Sequence, residues 1–126
     1  MLEKVAFTMV PVDDPERARA FYEGTLGLTR GSAAPSGDWT EYDLPGGGCL
    51  ALLRASLSGL EPSARSGSIA FEVSDLDALN ARLKAEGVRY ASEMIESPVC
   101  RMSVILDSEG NSLILHELRS KRAVTT

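Results

Sequence analysis

The sequence predicts an α+β fold made of two consecutive βαβββ modules. The first observation is a repeat, because a strand followed by a capping aspartate and a helix occurs near Asp14 and again near Asp75. The second observation is that each helix is followed by two strand-like segments that flank a tight turn. Self-similarity of this kind indicates that one structural unit is present twice.

The first copy begins with the apolar run at residues 5–12, which is typical of a strand. Asp14 follows, and its carboxylate can accept hydrogen bonds from the first free N–H groups of a helix. Pro15 suits the first helical position, where the N–H that proline lacks would have no partner inside the helix. Gly27 suits the left-handed residue that ends a helix. The pattern therefore predicts a helix between Pro15 and Gly27.

The second copy repeats this order. Residues 68–73 are strand-like, Asp75 can cap a helix and Gly87 can end it. The spacing places three leucines on one face of that helix: Leu76, Leu79 and Leu83. When Asp14 is aligned with Asp75, the second helix is one residue shorter before its terminal glycine.

Each copy then continues with strands and turns. Glycine-containing turns between two strand-like segments favour β-hairpins. The hairpin strands are expected at residues 39–44 and 49–54 in the first copy, and at residues 99–106 and 112–118 in the second. A short strand after each helix, at residues 29–33 and 88–94, completes the βαβββ pattern.

The length of 126 residues is sufficient for one hydrophobic core without disulfides or a structural metal. We therefore expect a single domain over residues 1–126. Module one is expected at residues 1–57, a linker rich in Ser, Gly and Pro at residues 58–66, and module two at residues 67–126.

Composition excludes several classes of protein. With 13 basic and 18 acidic residues the net charge is −5, which repels phosphate backbones, so no nucleic acid partner is expected. No apolar run approaches the roughly 20 residues needed to cross a bilayer. The start of the chain lacks the pattern of a secretion signal, so we expect no membrane association and a cytoplasmic location. Cys49, Cys100 and a single histidine are too few ligands for a zinc finger.

Three segments carry recognisable motifs in chain order. Residues 12–28 combine an aspartate, a Phe-Tyr pair and Leu-Gly, residues 70–77 repeat the strand-to-aspartate junction, and residues 107–111 form an Asp-Ser-Glu-Gly-Asn turn. Together they resemble the glyoxalase/bleomycin resistance protein/dioxygenase superfamily, also called vicinal oxygen chelate proteins, in which proline stands at the position of Ser108. The resemblance implies two βαβββ modules that form facing curved mixed sheets around a cleft, often in a homodimer.

The resemblance also implies four positions for a divalent metal, on the first and last strands of each module. The family uses His, Gln or Glu there, because such side chains bind a Lewis-acidic metal well. Counting from the two aspartates and the hairpin turns, these positions are Phe7, Ala51, Ser68 and Ile114. None of them is a good metal ligand. We therefore expect no metal at the usual positions and leave the cofactor unknown.

Alternation along the strands of the second copy predicts a polar pair. If Ile69 and Phe71 face the helix, Glu72 faces the cleft, and His116 faces it together with Ile114. The resemblance makes these strands neighbours, so Glu72 and His116 are the predicted catalytic acid/base pair or, less typically, two metal ligands. The alternative is a histidine that is hydrogen-bonded at the end of a strand for structural reasons.

Cys100 and Arg101 are adjacent, so only one of them can face the cleft. Arg101 could hold an anionic ligand through its guanidinium group. Cys100 could supply a thiolate, although free cysteine is more often a small buried hydrophobic residue.

A substrate-binding surface is predicted in the first copy as well. Tyr42 beside Phe7 and Met9 would make an aromatic floor for an organic ligand. Ser68 and Ile114 would complete this surface from the second copy. The alternatives are that Tyr42 packs between the halves or that Glu41 faces the cleft in its place.

Two functions remain open from the sequence. The first is a glyoxalase-like enzyme of the lyase, isomerase or dioxygenase type, acting on a small molecule with Glu72 and His116. The second is a metal-free protein of the bleomycin-resistance type that binds a small molecule or drug. The absence of good ligands at the usual metal positions favours the second function, and the Glu72/His116 pair favours the first.

Overall fold

The computed structural model describes residues 1, 3–65 and 69–119. The chain divides into two compact units, of which unit 1 comprises Met1–Ser63 with Ser108–Gly110, and unit 2 comprises Ala64–Asp107 with Asn111–Thr126. Each unit contains one four-stranded mixed sheet. Within the described part of the chain, no helix is long and apolar enough to span a bilayer.

Unit 1 has the predicted order of strand, helix and three strands. Its elements are β1 (Thr8–Val12), α1 (Pro15–Arg19), a π-helix (Ala20–Thr25), β2 (Arg30–Ala33), β3 (Trp39–Asp43), β4 (Cys49–Arg54) and the short helix α2 (Ala55–Ser58). The sheet order is β1-β4-β3-β2, with β1 parallel to β4 and the other neighbours antiparallel. The short helix α2, at the end of the first module, was not predicted.

The first helix begins where the sequence predicts and then changes its winding. Asp14 Oδ1 accepts hydrogen bonds from the backbone N–H groups of Glu16 and Arg17, each at 3.1 Å. After Arg19 the helix continues with π geometry, and the N–H of Leu26 donates to the carbonyl of Phe21, five residues earlier, at 2.9 Å. A π-turn holds one residue more than an α-turn. The extra residue of this copy is thus accommodated inside the helix.

The core of unit 1 lies between the helix and one face of the sheet. Tyr22 of the π-helix and Tyr42 of β3 are both fully buried, and their rings stack at 6.2 Å between centroids. Apolar side chains of β1 and β4 surround them: Val10, Val12, Leu50 and Leu52. Removal of this apolar area from water is the main stabilising contribution.

Unit 2 repeats the plan of unit 1. Its elements are β5 (Ile69–Glu72), α3 (Leu76–Ala85), β6 (Tyr90–Glu96), β7 (Cys100–Leu106) and β8 (Ser112–Leu118). The sheet order β5-β8-β7-β6 corresponds to that of unit 1, again with one parallel pair, β5 and β8. The predicted α+β fold of two βαβββ modules is therefore confirmed.

Two side chains accept hydrogen bonds from the free backbone N–H groups at the start of α3. Asp75 Oδ1 accepts a hydrogen bond from the N–H of Ala78 at 3.1 Å, and Glu117 Oε2 accepts one from the N–H of Leu76 at 2.8 Å. The aspartate was predicted from the sequence, whereas Glu117 comes from β8 and has no local signal. The helix then buries Leu76 and Leu83 completely.

Candidate functional site

The two faces of the unit 2 sheet are distinguished by their contacts with α3. Ser103 Oγ donates to Asn80 Oδ1 at 3.0 Å, and Glu117 accepts from the N–H of Leu76, so these strand residues face the helix. Side chains alternate between the faces of a strand. The cross-strand register then assigns to the other face, which we call the distal face of unit 2, the residues Ala70, Glu72, Met102, Val104, Ile114 and His116.

Glu72 and His116 are direct cross-strand partners on β5 and β8. Glu72 Oε1 lies 2.7 Å from His116 Nδ1, and Glu72 Oε2 accepts a hydrogen bond from the N–H of Leu118 at 3.0 Å. The structure thus confirms that Glu72 and His116 are neighbours. Their catalytic role remains a prediction.

The two partners of this pair differ in exposure. The His116 side chain is 9% exposed, whereas that of Glu72 is 55% exposed. In the neutral ring, a carboxylate that accepts from Nδ1 fixes the tautomer with hydrogen on Nδ1 and a lone pair on Nε2. The pair can therefore present an imidazole whose orientation and tautomer are set by Glu72.

Apolar side chains surround this pair on the distal face of unit 2. Met102 is the β7 partner of His116, and Ala70, Ile114 and Val104 form the adjacent row across β5, β8 and β7. Ile114, Met102 and Val104 are each partly exposed. The result is an apolar surface with one oriented polar pair, which is the composition typical of small-molecule sites.

Arg101 does not belong to this surface, which corrects the orientation expected for it. Its guanidinium group binds Asp77 Oδ1 of α3 at 3.1 Å and Glu117 Oε1 at 2.9 Å, so it faces the helix. These hydrogen bonds and charges raise the pKa of Arg101 further above its ordinary value. The adjacent Cys100 is therefore the member of the pair that shares a face with His116, and its Sγ lies 3.2 Å from Ser97 Oγ.

Tyr42 also has a different orientation from the one expected. Its ring packs on Tyr22, and its hydroxyl donates to Glu23 Oε2 at 2.9 Å, so it faces the helix of unit 1. Burial and the hydrogen bond to Glu23 raise the pKa of the Tyr42 phenol. Since strand neighbours alternate, Glu41 occupies the opposite face, as the alternative interpretation of the sequence had it.

The distal face of unit 1 combines aromatic, apolar and acidic groups. Met9, Ala51 and Glu41 lie side by side across β1, β4 and β3. Phe7, which precedes β1 and is 45% exposed, packs edge to face on Trp39 with ring centroids 5.2 Å apart. Trp39 was not predicted from the sequence as a candidate for this face, and Glu41 was predicted there only as the alternative to Tyr42. Their alternation with Thr40 and Tyr42 was the available signal.

The side chains at the usual metal positions do not fit a metal. Phe7, Ala51 and Ile114 offer only carbon atoms, and Ser68 lies outside the described residues. Glu72 and His116 contribute two donor groups. Across residues 1, 3–65 and 69–119, no group of three or more His, Cys, Asp or Glu side chains is placed to hold a metal ion.

Comparison with known proteins agrees with the fold. The model of the Glyoxalase/Bleomycin resistance protein/Dioxygenase superfamily matches residues 4–115 of this chain. No curated protein matches the sequence.

Solved structures of the same kind resemble it closely in backbone. A superfamily member from Sphaerobacter thermophilus is 27% identical with a TM-score of 0.79, and the match covers 93% of this chain and 98% of that one. TnmS3, an antibiotic binding protein from a Streptomyces species, is 27% identical with a TM-score of 0.77, covering 93% and 97%. A lactoylglutathione lyase from Agrobacterium tumefaciens, at 20% identity and a TM-score of 0.73 over 92% and 94%, shares the fold.

Proposed function

Because the chain belongs to the glyoxalase/bleomycin resistance protein/dioxygenase superfamily, we propose that it binds a small organic molecule on the distal face of unit 2 without a metal at the family's usual positions. The observation that carries this proposal is the apolar surface of Met102, Val104 and Ile114 around the hydrogen-bonded Glu72–His116 pair. Such a surface gives affinity by apolar burial and orientation by a few polar contacts.

Two observations support binding over catalysis. One is the type of side chain at the family's usual metal positions, and the other is the similarity of this chain to an antibiotic binding protein. Carbon side chains at three usual metal positions leave no Lewis acid to polarise a substrate oxygen there. TnmS3, which is described as antibiotic binding, is 27% identical to this chain over almost its full length. We therefore assign an antibiotic-like organic compound as the ligand class.

The metal part of the proposal is tested by elemental analysis of untagged protein together with thermal melts in Mn²⁺, Fe²⁺, Ni²⁺ and Zn²⁺. A metal that binds only the folded state adds roughly 2.7 kcal/mol at a hundredfold excess over its Kd, which a melt detects. We expect no stoichiometric metal and no such stabilisation. Stoichiometric metal with a matching rise in Tm would overturn the metal-free site.

The binding part is tested by thermal-shift titration with a panel of aromatic antibiotics, followed by calorimetry on any compound that stabilises the protein. Ile114→Gln places an amide in the apolar row and should weaken binding. Leu57→Gln is the matched control, since Leu57 is 62% exposed on α2. Equal loss in both variants, or loss in neither, would contradict a site at Ile114.

A general-base enzyme is the second candidate, favoured by the 2.7 Å contact between Glu72 Oε1 and His116 Nδ1. In this role the imidazole accepts a proton from the substrate at Nε2, while Glu72 stabilises the imidazolium that forms. Lactoylglutathione lyase activity is the first assay to run, given the shared fold. Turnover by the original protein that is lost in His116→Gln would favour the enzyme. No turnover by the original protein would favour the binding protein.

A homodimer in the cytoplasm completes the proposal. It is supported by the family resemblance for the dimer and by composition for the location. Size-exclusion chromatography with light scattering measures the assembly directly, and a mass of one chain at micromolar concentration would contradict the dimer.

A further inference from the structure

We propose that a groove on the helix side of unit 1 binds a free amino acid, with Arg19 holding the carboxylate and Glu16 the ammonium group. The groove has a volume of about 560 Å³ and is lined by Glu16, Arg19, Ala20, Glu23, Gly24 and Arg30. Arg19 and Glu23 contact Thr40 and Tyr42, which face the helix, so the groove lies on the opposite side of the sheet from Phe7 and Ala51. The proposal goes beyond the proposed function, and the two can fail independently.

Arg19 presents an anchored guanidinium group with one unused edge. Its Nη1 donates hydrogen bonds to the carbonyl of Gly37 at 2.7 Å and to Thr40 Oγ1 at 3.4 Å. In the part of the chain that the structure describes, Nε and Nη2 donate to no acceptor, and no carboxylate forms an ion pair with Arg19. A guanidinium binds a carboxylate best through two parallel hydrogen bonds from one edge. Arg19 therefore has the donors for a bidentate carboxylate contact.

Gly37 allows the guanidinium of Arg19 to pack against the turn before β3. A Cβ atom at this position would lie 3.3 Å from Nη2 and 3.5 Å from Nη1, and the residue has a φ of +80°. Both the close approach and the left-handed backbone favour glycine. The turn holds the guanidinium by packing and by a hydrogen bond, which lowers the entropy lost when a ligand binds.

The second arginine and the second glutamate of the groove already bind each other. Arg30 Nε lies 2.8 Å from Glu23 Oε2, and Arg30 Nη2 lies 3.1 Å from Glu23 Oε1. The hydrogen bond from Arg30 lowers the pKa of the Glu23 carboxyl, so this pair stays ionised near neutral pH. It forms a wall without net charge, which leaves Arg19 and Glu16 to bind a ligand.

Glu16 supplies the opposite charge beside Arg19. It is exposed on the first turn of α1, and its carboxylate forms no ion pair with Arg19 or any other described basic residue. Helix residues three positions apart lie on one face, with about 5–6 Å between their Cβ atoms. A simple anion at Arg19 would be repelled by Glu16, and a simple cation at Glu16 would be repelled by Arg19. A molecule with an ammonium and a carboxylate group a few bonds apart matches both charges.

The floor of the groove is made of small residues in the π-helix. Ala20 and Gly24 are both exposed, and a Cβ atom added at Gly24 would meet nothing within 4 Å. Local π winding is frequent at functional sites. The open floor leaves room for the side chain of a bound amino acid, so we expect its backbone charges to be recognised and not one particular side chain.

The test compares three small probes that differ by one charged group. The intact ¹⁵N-labelled protein is titrated with L-alanine, with propionate, which lacks the ammonium group, and with ethylamine, which lacks the carboxylate. The Nε–H resonance of Arg19 and the amide resonance of Gly24 are followed at constant pH and ionic strength. We expect saturable shifts with L-alanine, at an affinity about tenfold or more above that of either control probe.

Two variants remove the charges one at a time. Arg19→Gln and Glu16→Gln should each weaken L-alanine binding about tenfold or more, as for the loss of one charge-assisted contact. Arg89→Gln and Glu61→Gln make the same changes in net charge at exposed positions that do not line the groove, and they serve as matched controls. Because solvent and salt screen such distant charges, we expect less than about a twofold change in the controls.

Each outcome supports or overturns the site. Saturable, selective binding of L-alanine that is weakened only in the two groove variants would support it. Equal affinity for the three probes, shifts that do not saturate, or an equal loss in the control variants would overturn it. If Arg19→Gln does not fold because it also loses Gly37 and Thr40, Glu16→Gln and the comparison of L-alanine with propionate decide, since both leave Arg19 in place.

Discussion

The Arg17 guanidinium donates a hydrogen bond to each carboxylate oxygen of Glu109. Nε lies 2.7 Å from Oε2, and Nη2 lies 2.9 Å from Oε1. Glu109 Oε1 also accepts hydrogen bonds from the backbone N–H groups of Asp13 at 3.0 Å and Asp14 at 2.9 Å. The Glu109 side chain is fully shielded from solvent, whereas that of Arg17 is 55% exposed. The turn Ser108–Gly110 is thereby fixed to the start of α1 and belongs to unit 1.

Glu109→Ala is expected to destabilise the protein strongly. The substitution removes the acceptor of hydrogen bonds from Arg17, the Ser108 hydroxyl and two backbone amides, and it leaves the guanidinium without this partner. We therefore expect a loss of roughly 3 kcal/mol. Urea unfolding followed by circular dichroism measures it. The control is Glu86→Ala, which removes the exposed pair with Arg82 and should cost less than about 1 kcal/mol. A similar loss in the two variants would contradict a special role for Glu109.

Stability should fall in acid because of Glu109 and Glu117. Burial alone would raise the pKa of Glu109, but hydrogen bonds from Arg17 and the Asp14 amide outweigh it, so the net pKa is lowered. The Leu76 amide and Arg101 lower the pKa of Glu117. Carboxyls with lowered folded pKa values stabilise the fold above their ordinary value, near 4.5, and this contribution is lost as pH falls through the folded pKa.

The measurement is the urea midpoint between pH 7 and pH 3. We expect a plateau near neutral pH and a steady decline below about pH 4.5. Glu117→Gln should be less stable at pH 7 and decline less steeply. A midpoint that is constant down to pH 3, or a variant that declines as steeply as the original chain, would refute the linkage to Glu117.

The Glu72–His116 contact predicts a single tautomer of the neutral ring. Because His116 is the only histidine, a long-range ¹H–¹⁵N correlation spectrum reports it without ambiguity. We expect hydrogen on Nδ1 at pH values where the ring is neutral, since Glu72 accepts there. Glu72→Leu should shift the population toward hydrogen on Nε2, whereas Glu93→Leu, on β6, should not. An unchanged spectrum in Glu72→Leu would show that another group sets the tautomer.

Asn80 is expected to be essential to the core of unit 2. Its Oδ1 accepts hydrogen bonds from Tyr90 Oη at 2.6 Å and Ser103 Oγ at 3.0 Å. Asn80→Leu leaves both hydroxyls without this acceptor, and we expect a loss of roughly 2–3 kcal/mol in urea unfolding. Adding Tyr90→Phe to that variant removes one unsatisfied hydroxyl and should recover part of the loss. Additive losses in the double variant would contradict this account.

The fold was predictable because its signals are local. Asp14, Pro15 and Asp75 identify helix starts through chemistry that acts within four residues, and the turn at Asp107 identifies a hairpin in the same way. Because these local patterns occur twice and resemble those of a known superfamily, they also predicted the order of helices and strands along the chain. The observed boundaries of the strands differ from the predicted ones by a few residues. For example, the first strand was predicted from residue 5, whereas β1 begins at Thr8.

The faces of the strands were harder to predict, because a period of two gives two equally regular assignments. Tyr42 faces the helix since Tyr22 and Glu23 provide a ring contact and a hydrogen-bond acceptor there. Arg101 faces α3 since Asp77 and Glu117 carry the opposite charge. These partners are distant in sequence, so no pattern within either strand could have decided between the two faces.

The π-helix at Ala20–Thr25 has a consequence for the history of the repeat. The two halves keep equivalent aspartates and equivalent terminal glycines although the first half has one residue more between them. If the halves arose by duplication, the additional residue of the first half lies in the wider turn of its π-helix. The strands before and after this helix then kept their pairing. An alignment of the two halves should therefore carry its gap within the helix and not in a loop.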